Sequence, residues 1–111
     1  MPPGGENDAR AFYGDALGIA EIAKPPHLAQ RGGCWFEDGT VRIHLGVDPD
    51  FRPARKAHPA LMVSDLAALV ARLEASGHRP MPDQPLERFD RLYVDDPFGN
   101  RIELMQPRSG F

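Results

Sequence analysis

The stretch YVDDPFGNRIELM, residues 93–105, runs an alternating apolar segment into a turn of Asp96, Pro97, Gly99 and Asn100 and out again into a second alternating segment. Asp96 can bond forward to the backbone, Pro97 presets its own φ, and Gly99 or Asn100 tolerates a positive φ. The motif therefore predicts a hairpin whose turn aims the strand that follows. On that strand Glu103 sits between Ile102 and Leu104. Strand side chains alternate between two faces, so Ile102 and Leu104 share one side and Arg101, Glu103 and Met105 the other. A glutamate so placed faces either water or a cavity that holds a cation.

Working outward, the same plan occurs earlier in the chain. GTVRIHL at 39–45 echoes GNRIEL at 99–104, with Arg42, Ile43, His44 and Leu45 lying over Arg101, Ile102, Glu103 and Leu104. A helix opens each half. Asn7 or Asp8 can cap one that runs to about Leu17, because Ala9, Phe12, Tyr13, Ala16 and Leu17 follow the i, i+3, i+4, i+7, i+8 spacing. Gly18 supplies its left-handed stop. Ser64 is the expected cap of the second helix, which carries Leu66, Leu69, Val70 and Leu73 on one face and ends at Gly77. Strands are predicted at 19–23, 33–36 and 41–47, then at 79–81, 89–94 and 101–105.

The second half has one more strand, HPALMV at 58–63, which runs straight into its helix. The matching place in the first half holds only MPPGGE, and two prolines and two glycines in six positions do not make a strand. The expected fold is α+β. It is one domain over residues 1–111, built of paired βαβββ modules that form a curved mixed sheet with helices on its outer face. Module one spans about 1–47, a linker 48–57, and module two 58–106, with the first strand of module one absent.

Composition narrows the partners. At 111 residues, 41% apolar and 26% charged, the chain is an ordinary globular domain. Its net charge of −3 gives no reason to expect nucleic acid or an anionic membrane surface. The longest apolar run, residues 66–71, is too short to cross a bilayer. The N-terminal MPPGGENDAR has neither a basic nor an apolar leader region, so a cytoplasmic location is expected. The single cysteine, Cys34, excludes an internal disulfide and reads as a small apolar filler on a strand.

The same alternation sorts the other strands. Ile43, Leu45 and Val47 oppose Arg42 and His44, while Leu61 and Val63 oppose His58, Ala60 and Met62. If the apolar sides take the helices, His44, His58 and Glu103 are presented on one common surface, with Trp35 and Tyr93 at similar points of the two halves. Two imidazoles and a carboxylate suit zinc, iron(II), nickel or manganese. Each also has a plainer reading as a hydrogen-bonded or solvated strand residue. His27 and His78 lie beside turn residues and give no site signal. Arg52, Arg55 and Lys56 read as a solvated crossover.

Taken together, ARAFYGDALGI, HPALMV running into SDLAAL, and YVDDPFGNRIEL resemble the vicinal oxygen chelate superfamily, over nearly all of residues 7–106. That group includes glyoxalase I, bleomycin-resistance proteins and extradiol ring-cleavage dioxygenases. The resemblance implies metal ligands at His44, His58 and Glu103, with a further ligand expected on the missing strand. The site would thus be incomplete in this chain, and metal binding weak. It also implies Glu103 as the catalytic carboxylate, substrate walls from Trp35, Tyr93 and Met62, and a homodimer that pairs modules between chains. The implied activity is a glyoxalase- or dioxygenase-like small-molecule enzyme, a lyase, isomerase or ring-cleaving dioxygenase, whose divalent metal chelates vicinal substrate oxygens. The alternative is a non-catalytic protein of the bleomycin-resistance type that sequesters a drug or metabolite. His44 stands where many glyoxalases carry glutamate, which leaves Glu103 as the one carboxylate able to act as a base.

Overall fold

A computed structural model describes residues 1–109, and the chain divides into two compact units, Met1–Arg52 and Pro53–Phe111. The fold is α+β. The first unit holds an antiparallel sheet in the order β1-β2-β3, formed by Glu21–Ile22, Cys34–Asp38 and Val41–Leu45. The second holds a mixed sheet in the order β4-β7-β6-β5, formed by Ala60–Met62 (β4), Met81–Pro82 (β5), Phe89–Asp95 (β6) and Arg101–Pro107 (β7). β4 runs parallel to β7, and the other pairs in that sheet are antiparallel.

In the first unit Asn7 and Asp8, the expected caps, lie inside the helix, which starts at Glu6. Gly5 is its cap residue, with no side-chain bond. After α1 (Glu6–Ala9) the backbone widens into a π-helical segment, Arg10–Ala16, in which Leu17 N–H reaches Phe12 O at 2.9 Å. The wider turn keeps Ala9, Phe12, Tyr13, Ala16 and Leu17 all buried. Tyr13 packs against Phe36 of β2 with ring centroids 5.5 Å apart, and Gly18 ends the segment at φ +76°. Ahead of the helix, the Met1 amine donates to Gly46 O at 2.8 Å and Asp48 N–H donates to Met1 O at 2.9 Å. A short helix, α2 (Pro26–Ala29), was not foreseen from the sequence; Pro26 favours the first turn but the element is too brief for any periodic signal.

Cys34 is 2% exposed on the core side of β2. Burial pushes its thiol up, and the nearby Glu21 carboxylate adds to this. It therefore stays un-ionised at neutral pH, and the thiolate is the reactive form. Iodoacetamide should leave the native protein unlabelled and add one equivalent in denaturant. Fast native labelling would place Cys34 outside the core.

In the second unit the cap of α3 (Leu66–Ala75) is Asp65 rather than Ser64. The Asp65 carboxylate accepts from Ala68 N–H at 3.0 Å, the usual reach of a cap to the third helical residue. Leu66 N–H is taken by the Gln106 side chain at 2.7 Å, which ties the helix start to β7. Leu69 and Leu73 are buried, as are Leu92, Val94, Ile102 and Leu104 of the sheet. The β6–β7 turn is held by Asp96, itself 5% exposed. Its Oδ1 accepts from Phe98 N–H at 2.9 Å and Asn100 N–H at 2.8 Å, and its Oδ2 accepts from the Asn100 amide at 2.8 Å. Gly99 takes the positive φ, +88°. This turn sets the register that opposes Tyr93 to Glu103 and Arg91 to Met105.

No helix among the described residues is long and apolar enough to cross a membrane.

Candidate functional site

Register and alternation together compose one face of the second unit's sheet. Ala60, Glu103, Tyr93 and Met81 line up across the four strands, and Met62, Met105 and Arg91 form the next row. Glu103 is 7% exposed, although its row neighbours are half-buried or exposed. A carboxylate that deep needs partners. It has two. The His58 ring places Nε2 at 2.9 Å from Glu103 Oε1, and the Arg91 guanidinium lies 3.4 Å from Oε2.

The surroundings fix each partner. Arg91 donates to Tyr93 Oη at 2.8 Å and sits 3.5 Å from Asp83. Desolvation works against its charge, but the bond to Tyr93 and the charges of Tyr93, Asp83 and Glu103 outweigh it and hold the guanidinium above its usual range. Tyr93 meets the His58 ring edge-on at 5.1 Å, and Arg101 lies over its face at 5.0 Å. His58 Nδ1 lies 3.0 Å from Lys56 O. A backbone carbonyl can only accept, so Nδ1 carries the proton. Nε2 then faces a carboxylate oxygen, which also accepts. Two acceptors at 2.9 Å repel unless a proton or a metal cation lies with them.

That donor set fits a metal. A backbone carbonyl that accepts from one imidazole nitrogen is the usual way to aim the other at a cation. Two ligand atoms each about 2.0–2.1 Å from zinc, at angles between 90° and tetrahedral, lie roughly 2.9–3.4 Å apart. The 2.9 Å between Nε2 and Oε1 falls in that range. Arg91 lies beside the other carboxylate oxygen, leaving Oε1 as the oxygen that could reach a cation.

His44 lies in the first unit, directly across β2–β3 from Trp35. The two rings stack at 3.7 Å and 2°. His44 Nε2 is 3.3 Å from Glu37 Oε1, and Arg42 stands 3.8 Å from the same oxygen. Thus each aromatic named from the sequence is the cross-strand partner of a candidate ligand: Trp35 of His44, Tyr93 of Glu103. Met62 is 55% exposed on the Glu103 side of its sheet, where Met81, at 45%, also lies. Among the described residues no group of three or more His, Cys, Asp or Glu side chains gathers as a metal cluster. His58 and Glu103 are the pair brought together within one unit.

Sequence reasoning missed Arg91, the Lys56 carbonyl and Glu37. Arg91 was findable, since it lies two residues before Tyr93 and so on the same face. A backbone carbonyl leaves no mark in a sequence.

Comparison with known proteins agrees with this architecture. A family model described as a glyoxalase-like domain matches residues 6–105. A glyoxalase-family protein of Bacillus anthracis is 45% identical, with TM-score 0.92 over 97% of this chain and 88% of its own. The fosfomycin resistance protein FosX of Listeria monocytogenes, 17% identical, gives TM-score 0.74 over 93% of this chain and 83% of its own. TnmS3, an antibiotic binding protein of a Streptomyces species, is 23% identical and gives 0.73 over 97% and 91%. At those identities the last two speak for the fold alone. No curated protein matches the chain by sequence. With its repeated helix-and-strand units, its hairpin around Asp96 and a family match over residues 6–105, the chain belongs to the glyoxalase-like domain family of the vicinal oxygen chelate superfamily.

Proposed function

We propose that the chain is a small-molecule enzyme of the glyoxalase and dioxygenase kind that uses a divalent metal, with His58 and Glu103 as ligands. The observation that carries this is the buried Nε2–Oε1 pair, with the His58 ring turned by the Lys56 carbonyl so that Nε2 faces the carboxylate. His44 holds in the first unit the strand position that Glu103 holds in the second. A metal bound by such groups acts as a Lewis acid on two neighbouring substrate oxygens. Arg91, itself bonded to Tyr93 Oη, holds the carboxylate of Glu103 in place together with His58. As the one buried carboxylate of that sheet face, Glu103 is also the group that would take a proton from substrate. One domain of two modules, acting as a homodimer, belongs to the same reading.

A second reading is favoured by a different observation: Met62, Met81 and Tyr93 form an apolar, adaptable field around Glu103. Such a face suits a protein that only sequesters its ligand.

Metal analysis and titration calorimetry with zinc, manganese, nickel and iron(II) distinguish the two. Uptake of a divalent metal is expected, falling in acid because a protonated imidazole has no lone pair to donate. His58→Ala and Glu103→Ala should each weaken it by about a hundredfold, the upper end of what even outer-shell changes cost. Absence of uptake, or uptake indifferent to both substitutions, rejects the metal reading in favour of sequestration.

A further inference from the structure

The first unit contains a cavity of about 230 Å³ lined by Lys24, Leu28, Arg31, Gly32, Trp35, Leu45, Gly46 and Val47. Its chemistry is uneven in a useful way. Leu28, Trp35, Leu45 and Val47 supply apolar wall, and the only charged side chains in the lining are two cations. Glu6, whose carboxylate comes near Gly32, is not part of the lining. Lys24 donates to Gly32 O, which spends one of its three donors and fixes the amine at the wall. Neither Lys24 nor Arg31 has an ion-pair partner among the described residues. Lys24 is half-buried and Arg31 exposed at the rim, so both keep donors free to meet an anion at this cavity.

We propose that this cavity binds the anionic end of a small ligand, an oxyanion such as a carboxylate, between Lys24 and Arg31, with an apolar body of about one ring lying against Trp35. The volume sets the body: drug-sized ligands occupy pockets of roughly 300–1,000 Å³, and this one is smaller. Arg31 presents a planar fork that matches a carboxylate edge, and Lys24 adds a point charge. Trp35 also stacks on His44, so a ligand held here touches the ring that positions a candidate metal ligand. The proposal gives a substrate class to the small-molecule reading above and rests on that part of it, but it does not require the metal.

Trp35 is the one tryptophan in the chain, so its fluorescence reports the cavity directly. The intact protein is titrated with benzoate, with its neutral isostere benzamide, and with acetate, which has the charge but no ring. Benzoate should change the emission saturably, with benzamide and acetate each at least about tenfold weaker, the worth of one charge-assisted bond. Arg31→Met and Lys24→Met should each weaken benzoate by about tenfold, with circular dichroism unchanged. Because Lys24 also braces Gly32, Arg31→Met is the cleaner of the two. Glu103→Ala and His58→Ala should leave benzoate binding as it is, so failure of the metal reading and failure of this one are told apart. No saturable response to benzoate, equal binding of benzamide or acetate, or unchanged affinity in Arg31→Met would each overturn the proposal.

Discussion

Replacing Asp96 by alanine should lower stability by about 2–4 kcal/mol, because it strips the partner from the Phe98 and Asn100 amides and the Asn100 side chain at once. Each unsatisfied donor costs roughly 1–3 kcal/mol when buried, and Phe98 and Asn100 are half-buried, so water recovers part of the sum. Asp96→Asn should cost less. Its remaining carbonyl oxygen still accepts from the two backbone amides, and only the Asn100 side chain faces an amine. Urea unfolding of the three proteins measures the order, with the same slope expected in each. The effect reaches the site, since the turn sets the register that puts Tyr93 opposite Glu103. Metal uptake by Asp96→Ala should therefore fall alongside stability. A loss within about 0.5 kcal/mol, the range of an unremarkable surface change, would mean that Pro97 and Gly99 suffice for the turn.

Phe36→Ala is expected to cost about 3–5 kcal/mol, the usual range for truncating a fully buried phenylalanine. Phe36 is 0% exposed and packs against the π-helical segment, touching the Tyr13 ring and lying 3.7 Å from where a Cβ on Gly14 would sit. That backbone is held by its own hydrogen bonds and cannot collapse into the space, so most of the cavity would persist. Phe36→Leu keeps much of the volume and should lose under half as much. Trp35, its neighbour on β2, supplies the signal: fluorescence-monitored unfolding follows the first unit specifically. An alanine variant as stable as the parent would show that the helix does not depend on this strand face.

How much of this was legible beforehand can be traced residue by residue. The alternation of Ile102, Glu103 and Leu104 put the carboxylate on the face away from Ile102 and Leu104, and the register agrees, because strand period is a local property of the backbone. The five apolar residues between Ala9 and Leu17 were equally legible. Their burial tolerates a change from α to π winding, which the spacing could not foretell because both windings keep roughly one side inward. The cap of α3 was off by one residue. Ser64 and Asp65 are both good caps, and which one is used depends on where Gln106 of β7 meets the helix start.

The sequence by itself determined the strand faces, the turn chemistry of residues 96–100 and the candidates His44, His58 and Glu103, since periodicity and residue type are written locally. Only the tertiary structure decided what those candidates touch. His58 and Glu103 are 45 positions apart, and their 2.9 Å contact exists because β4 lies parallel to β7 in one particular register. No local pattern marks Lys24 or Arg31, and it is the path of the chain around Trp35 that sets both beside one cavity. Contacts between distant residues depend on which strands pair and how a loop folds back, and no local pattern encodes either.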